Sequence, residues 1–167
     1  MNDISDKAIA WRVNVPDEQA SAALAGHFAQ SLEAPFVIYL QGDLGAGKTL
    51  FTRAYIHALG YEGYVKSPSY GLLETYEVAG KTILHLDLYR IEDPEELEYL
   101  AIRDLFGKNS VLMVEWPDRG DAYLPVPDMV LEFDEIDESR FINCRVFSLP
   151  GKELAEKVKS SYQTTVL

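Results

Sequence analysis

The chain has one cysteine, Cys144, in 167 residues, so no disulfide can close within it. Cys144 lies in the alternating run Phe141-Ile142-Asn143-Cys144-Arg145-Val146-Phe147. A small buried strand residue is expected there rather than a reactive thiol. Basic residues are also scarce. Lys and Arg number 15 against 27 Asp and Glu, for a net charge of −12. Non-specific nucleic-acid affinity comes mainly from Lys and Arg neutralising phosphates, so this balance argues against a broad phosphate-binding face for DNA or RNA. It argues equally against docking on an anionic membrane. No apolar run approaches the ~20 residues that would span a bilayer. The opening Met1-Asn2-Asp3-Ile4-Ser5-Asp6 is polar and acidic, unlike a signal or transit peptide. A soluble, cytoplasmic protein without membrane contact is expected. The sequence also lacks a Cys/His metal cluster, a G-x-S-x-G elbow and the kinase catalytic set.

What is present suits one globular domain over residues 1–167, with 47% hydrophobic residues and no repeat, low-complexity stretch or linker. Ala8 to Val15 alternates as a strand, with Ile9, Trp11, Val13 and Val15 on one face. Asp17-Glu18-Gln19-Ala20 reads as a capped helix start, and that helix runs to about Leu32. Phe36 to Leu40 is a buried strand, and Thr49 to Leu59 a helix that stops at Gly60. Leu72 to Val78 and Thr82 to Leu88 form a hairpin around Ala79-Gly80-Lys81. Pro94-Glu95-Glu96-Leu97 starts a helix expected to end before Gly107. Val111 to Val114 is a fully apolar strand, of the kind found in sheets covered on both faces. Val130 to Phe133 and Phe141 to Phe147 read as a last strand pair, and Gly151 to Ser160 as an amphipathic helix. The sum is an α/β fold with a mixed sheet and helices on both faces.

Gly42-Asp43-Leu44-Gly45-Ala46-Gly47-Lys48-Thr49 is a complete G-x-x-x-x-G-K-[ST] phosphate-binding loop, set between that strand and that helix as the chemistry requires. Glycines allow successive backbone N–H groups to curl around phosphate oxygens. The helix N-terminus adds unpaired N–H groups and partial positive charge. Lys48 would reach the β/γ-phosphates and Thr49 would place its hydroxyl on Mg²⁺. Two acids compete to be the second magnesium partner: Asp87 and Glu115, each ending an apolar strand at the edge where open α/β sheets bind ligands. Ser67-Pro68-Ser69-Tyr70 offers hydroxyls that could sense a γ-phosphate, or is a plain proline turn. His85 shares a strand face with Asp87 and is expected to be a satisfied structural residue. Trp116 could stack on a base or a partner, or merely pack.

The ordered set of Gly42 to Thr49, Val65 to Tyr70, His85-Leu86-Asp87-Leu88-Tyr89-Arg90, Asp93 to Leu97 and Val114-Glu115-Trp116-Pro117 resembles the TsaE family of bacterial tRNA threonylcarbamoyladenosine (t6A) biosynthesis. The resemblance runs over most of the chain, and Pro16 to Ala20 also looks familial. It implies a phosphate-loop NTPase-like three-layer αβα sandwich with a mixed, partly parallel central sheet. It implies a Mg²⁺-dependent ATPase stimulated by its partners TsaD and TsaB, which hold the tRNA and the transferase site. Gly45, Ala46, Gly47, Lys48, Thr49 and Leu50 then correspond to the nucleotide-binding loop, with Asp17 and Trp116 expected near the nucleotide. Lys48, Asp87 and Glu115 would carry catalysis, with Thr49 and Glu115 as the metal partners. Ser67, Ser69 and Tyr70 match a switch segment. The family usually has threonine where this chain has Ser69, so a hydroxyl is kept and a methyl is lost.

Two rivals remain on the sequence. A small-molecule phosphate-loop kinase needs an arginine-rich lid, whereas Arg90, Arg103 and Arg119 are scattered. A GTP-dependent switch would need an N-K-x-D string to read guanine, and none is present. Nothing in the sequence bears on self-association.

Overall fold

The computed structural model describes residue 4, residues 7–68 and residues 70–166. Its centre is β2, Phe36–Gly42, whose first five residues are buried on both faces of the sheet. Strict alternation sends Phe36, Ile38 and Leu40 into one apolar cluster and Val37 and Tyr39 into another. β5, Ser110–Glu115, divides in the same way, with Val111 and Met113 on the first face and Leu112 and Val114 on the second. Continuous apolar runs are what a parallel pair covered on both sides needs.

Seven strands form one sheet in the order β1-β7-β6-β2-β5-β4-β3. β2 pairs in parallel with β5 and β6 (Met129–Ile136), and β5 pairs in parallel with β4 (Lys81–Asp87). Both edges are antiparallel: β3 (Leu73–Val78) on β4, and β7 (Ser139–Val146) between β6 and β1 (Ile9–Asn14). The β3–β4 turn is two residues, Ala79 and Gly80, both with positive φ (53° and 74°). That is the turn geometry whose twist matches the flanking strands. The mixed, partly parallel sheet between helical layers agrees with the expected α/β sandwich.

The first face carries α1 (Glu18–Ser31), α2 (Lys48–Ala58) and α5 (Leu149–Val166). α1 buries Ser21, Leu24, Ala25 and Phe28, at helical spacing. The Trp11 indole N–H ties β1 to α5 by donating to the Ala155 carbonyl at 3.1 Å.

The second face is thinner and corrects one expectation. The segment after Pro94 is two four-residue helices, α3 (Glu96–Tyr99) and α4 (Ile102–Leu105), broken at Ala101 in the left-handed region. Leu97 and Ile102 are both buried in the second cluster. Five residues apart in one continuous helix, they would diverge by about 140° around the axis. A left-handed residue resets the phase so that both reach the sheet. No helix of the described residues is long and apolar enough to cross a membrane.

Candidate functional site

The glycine loop leaves the C-terminal end of β2 and enters α2. Gly42 has φ +151°, and a Cβ there would lie 2.7 Å from the Phe133 carbonyl oxygen of the neighbouring strand. Only glycine lets the chain turn off the sheet so close to β6. Gly47 caps α2 in the left-handed region, with φ +103°. Among the described residues no side chain caps this helix start, which leaves the first N–H groups of α2 available to a ligand in the loop. Such an arrangement suits an anion. Ala46 packs against the first core cluster, and Leu50 is half-buried in the first turn of α2.

Lys48 is 4% exposed. Its ammonium folds back over the loop, donating to the carbonyls of Gly42 and, at 3.3 Å, Asp43. It also stands 3.9 Å from the centre of the Trp116 ring. Burial pushes its pKa down, against the opposing charges of Glu115, Asp87, Asp43 and Asp118. It is a cation held ready in a site that under-solvates it.

Strand register brings the acids to this point. On β4, alternation turns Ile83, His85 and Asp87 toward α2, and on β5 it does the same for Val111, Met113 and Glu115. Asp87 and Glu115 are direct register partners, and Leu40 of β2 is Glu115's partner on the other side. Glu115 is 2% exposed and Asp87 is 7% exposed. The Thr49 hydroxyl donates to the Glu115 carboxylate, lying 2.9 and 3.0 Å from its two oxygens. Asp87 accepts from the Tyr89 backbone N–H at 3.0 Å. Burial, and then the charge of Glu115, push the Asp87 carboxyl above its ordinary range, against the Tyr89 bond and the nearby His85 and Lys48. Two buried carboxylates and a hydroxyl, all hard oxygen donors, make a place where a divalent cation would relieve like-charge repulsion.

Trp116 follows Glu115 with φ 58° and ψ 50°, a strained conformation for a bulky residue and one that concentrates at functional sites. The turn aims its ring at Lys48 and against Tyr89, 5.0 Å away between centroids. Arg119 sits over both rings and donates to the Tyr89 carbonyl.

The remaining expected residues lie around this centre. The Leu72 N–H donates to Pro68 O at 2.8 Å, and the Asp87 N–H donates to Leu72 O at 3.0 Å. Pro68 is thereby linked to the strand end that bears Asp87. Tyr70 is 87% exposed, with the Arg90 guanidinium 4.5 Å above its ring. Ser69 lies outside the described residues. Asp17 follows β1 at the same sheet edge, since β1 runs in the direction of β2. Its side chain caps α1 by accepting from the Ala20 N–H at 2.8 Å. Its charge is felt at Tyr162 of α5, and among the described residues no hydrogen bond or ion pair joins it to Lys48, Thr49 or Glu115.

His85 departs from the expectation of a satisfied structural residue. It is fully buried, with Nε2 2.6 Å from Glu115 Oε2 and, among the described residues, no partner on Nδ1. Its position two residues before Asp87 on the same strand face was the available signal.

Known proteins share this arrangement of sequence and fold. The model of the family described as threonylcarbamoyl adenosine biosynthesis protein TsaE matches residues 15–142, which span the loop, both acids and Trp116. The tRNA threonylcarbamoyladenosine biosynthesis protein TsaE of Haemophilus influenzae is 42% identical over 145 residues, covering 84% of this chain and 92% of its own. The protein of that name from Bacillus subtilis is 37% identical over 120 residues, covering 71% and 73%. The one from Aquifex aeolicus is 34% identical over 130 residues, covering 77% and 90%. The crystal structure of Bacillus subtilis YdiB superposes with a TM-score of 0.77 at 24% identity, covering 90% of this chain and 95% of that one, and so supports the fold. A family model over most of the chain, with relatives this similar across most of their length, establishes that the chain belongs to the TsaE family.

Proposed function

We propose that residues 1–167 act as one Mg²⁺-dependent ATPase domain of t6A biosynthesis, working in the cytoplasm on a TsaD–TsaB complex rather than on tRNA directly. The observation that carries this reading is the Thr49 hydroxyl held against both oxygens of Glu115, in the first turn of the helix that the glycine loop opens.

The donor set fits Mg²⁺, which takes one or two carboxylates together with phosphate oxygens and water. Thr49 and Glu115 would hold it, with Asp87 beside them. When bound, it would supply positive charge to offset the negative charge that develops in phosphoryl transfer. The chain's own groups supply the rest. Backbone N–H groups from Gly45 to Leu50 cradle the phosphates. Lys48 leaves the Gly42 and Asp43 carbonyls for the β/γ-phosphate oxygens and contributes charge-assisted bonds in a site poor in water. Asp87, whose carboxyl is raised by burial, is suited to orient an attacking water and accept its proton. Trp116 and the capping residue Asp17 border the nucleotide. Ser67, Ser69 and Tyr70 respond to the γ-phosphate through the Leu72–Asp87 link and pass its state to the partner.

The strong acidity of the chain, net −12, supports leaving the tRNA to the partner. The test is ATP hydrolysis with and without Mg²⁺, and with and without purified TsaD–TsaB. Mg²⁺-dependent release of phosphate to water, raised by the partners, supports the reading. Phosphate transferred instead to a small-molecule acceptor would favour the kinase alternative.

A further inference from the structure

His85 sits where an aliphatic side chain would pack at lower cost. The residue is wholly buried; among the described residues its Nδ1 has no hydrogen-bond partner, and its one polar contact is Nε2 to Glu115 Oε2 at 2.6 Å. A buried nitrogen without a partner costs free energy that an apolar residue of the same shape would avoid. Core packing therefore does not account for an imidazole here, and the single bond does. An ionised Glu115 can only accept, so the ring donates through Nε2–H. Nδ1 meets no hydrogen-bond partner among the described residues.

The carboxylate is thus held from two sides. Oε2 takes both the Thr49 hydroxyl, at 3.0 Å, and the His85 ring N–H. A hydroxyl that binds a cation through its oxygen keeps its O–H, so Thr49 can go on donating to Glu115 with a metal in place. The bond from His85 holds the same carboxylate from the neighbouring strand, β4. The backing comes from the sheet itself, since His85 lies on β4 in register with Met113, diagonal to Glu115 on β5.

We infer that His85 is a positioning residue, a buried N–H clamp that fixes the Glu115 carboxylate toward the first turn of α2. Its kinetic consequence rests on the ATPase reading above; the clamp itself does not. Removing an outer hydrogen-bond partner of a metal-binding carboxylate typically costs about 10–100-fold in activity or metal affinity.

Three variants separate clamp from filler. Gln can present an amide N–H where Nε2 stands, Asn reaches only the Nδ1 position, and Leu fills space alone. The clamp predicts that His85→Leu and His85→Asn each lower kcat, or raise the Mg²⁺ concentration for half-maximal turnover, by about tenfold or more. ATP affinity measured without Mg²⁺ should stay within about threefold, since nothing in the glycine loop is touched. His85→Gln should recover most of the loss. Wild-type kinetics in His85→Leu, or equal behaviour of the Asn and Gln variants, would overturn the clamp. A second measurement needs no turnover. Long-range ¹H–¹⁵N spectra of the histidine rings in the metal-free protein should show His85 protonated on Nε2, with a resonance that moves in Glu115→Gln. Protonation on Nδ1, or an unmoved resonance, would overturn the inference whether or not the chain hydrolyses ATP. An inactive wild type with the Nε2–H pattern intact would defeat the ATPase reading and leave the clamp standing.

Discussion

Replacing Lys48 by methionine separates what the residue does for the fold from what it does for a ligand. The side chain is 4% exposed and its ammonium has a lowered pKa because of burial. A folded-state pKa below the unfolded one means that the charged form is disfavoured by folding. Methionine fills a similar volume without a charge, so the ligand-free fold should be unchanged or slightly steadier. Binding should suffer heavily. Two charge-assisted hydrogen bonds to phosphate oxygens are worth about 1.5–3 kcal/mol each. Against this, Lys48 must give up the carbonyls of Gly42 and Asp43 and its contact with the Trp116 ring, the last worth about 1–2 kcal/mol when desolvated. The net loss is about 2–4 kcal/mol, or roughly 30- to 1,000-fold in affinity. Calorimetric titration with ATP, beside a thermal melt of the ligand-free protein, measures both halves. ATP affinity within threefold of wild type, or a melting temperature lowered by more than about 5 °C, would refute the reasoning.

Gly42→Ala should cost about 2–3 kcal/mol in urea unfolding, because the new Cβ meets the Phe133 carbonyl oxygen at 2.7 Å in a φ region costly to other residues; a midpoint unchanged from wild type would contradict the packing described. Asp87→Asn keeps an acceptor for the Tyr89 N–H but removes a buried charge. Because Asp87's folded pKa is raised, wild-type stability should fall as pH rises from the ordinary value of 3.8 through the raised one. The Asn variant should therefore be the more stable at neutral pH, with the gap closing in acid, and it should hydrolyse ATP poorly; urea melts at both pH values and a phosphate-release assay check this. The isolated chain should bind tRNA no more tightly than about 10⁻⁶ M at physiological salt, given its charge of −12; submicromolar binding without partners, read by filter retention, would contradict it.

The parts of the fold that local pattern controls were legible in the sequence. Phe36 to Gly42, the glycine loop and the helix after it follow from an apolar run, fixed glycine positions and a helical pattern. The hairpin around Ala79-Gly80-Lys81 was legible from its glycine between two strand-like runs, but not that Lys81 already belongs to β4, since alanine is an uncommon residue for the positive φ of the first turn position. The break at Ala101 was not, since it answers to where Leu97 and Ile102 must point in three dimensions, and alanine carries no local signal for a left-handed backbone. Asp87 and Glu115 were each visible as strand-end acids. That they are register partners on adjacent parallel strands depends on strand order, which pattern does not encode. His85 was misjudged for the same reason: its partner lies 30 residues away along the chain, and only the register makes them neighbours.

The account rests on the glycine loop, Thr49 and the two buried acids forming one Mg²⁺-dependent ATP-hydrolysing centre that serves the t6A machinery. Its most direct test is phosphate release from ATP by the purified chain with TsaD–TsaB, titrated with Mg²⁺, for wild type, Glu115→Ala and Lys48→Met. The account predicts turnover that requires Mg²⁺, rises with the partners and is lost in both variants. Absence of Mg²⁺-dependent hydrolysis by the wild type with its partners present, or full turnover in either variant, would contradict it.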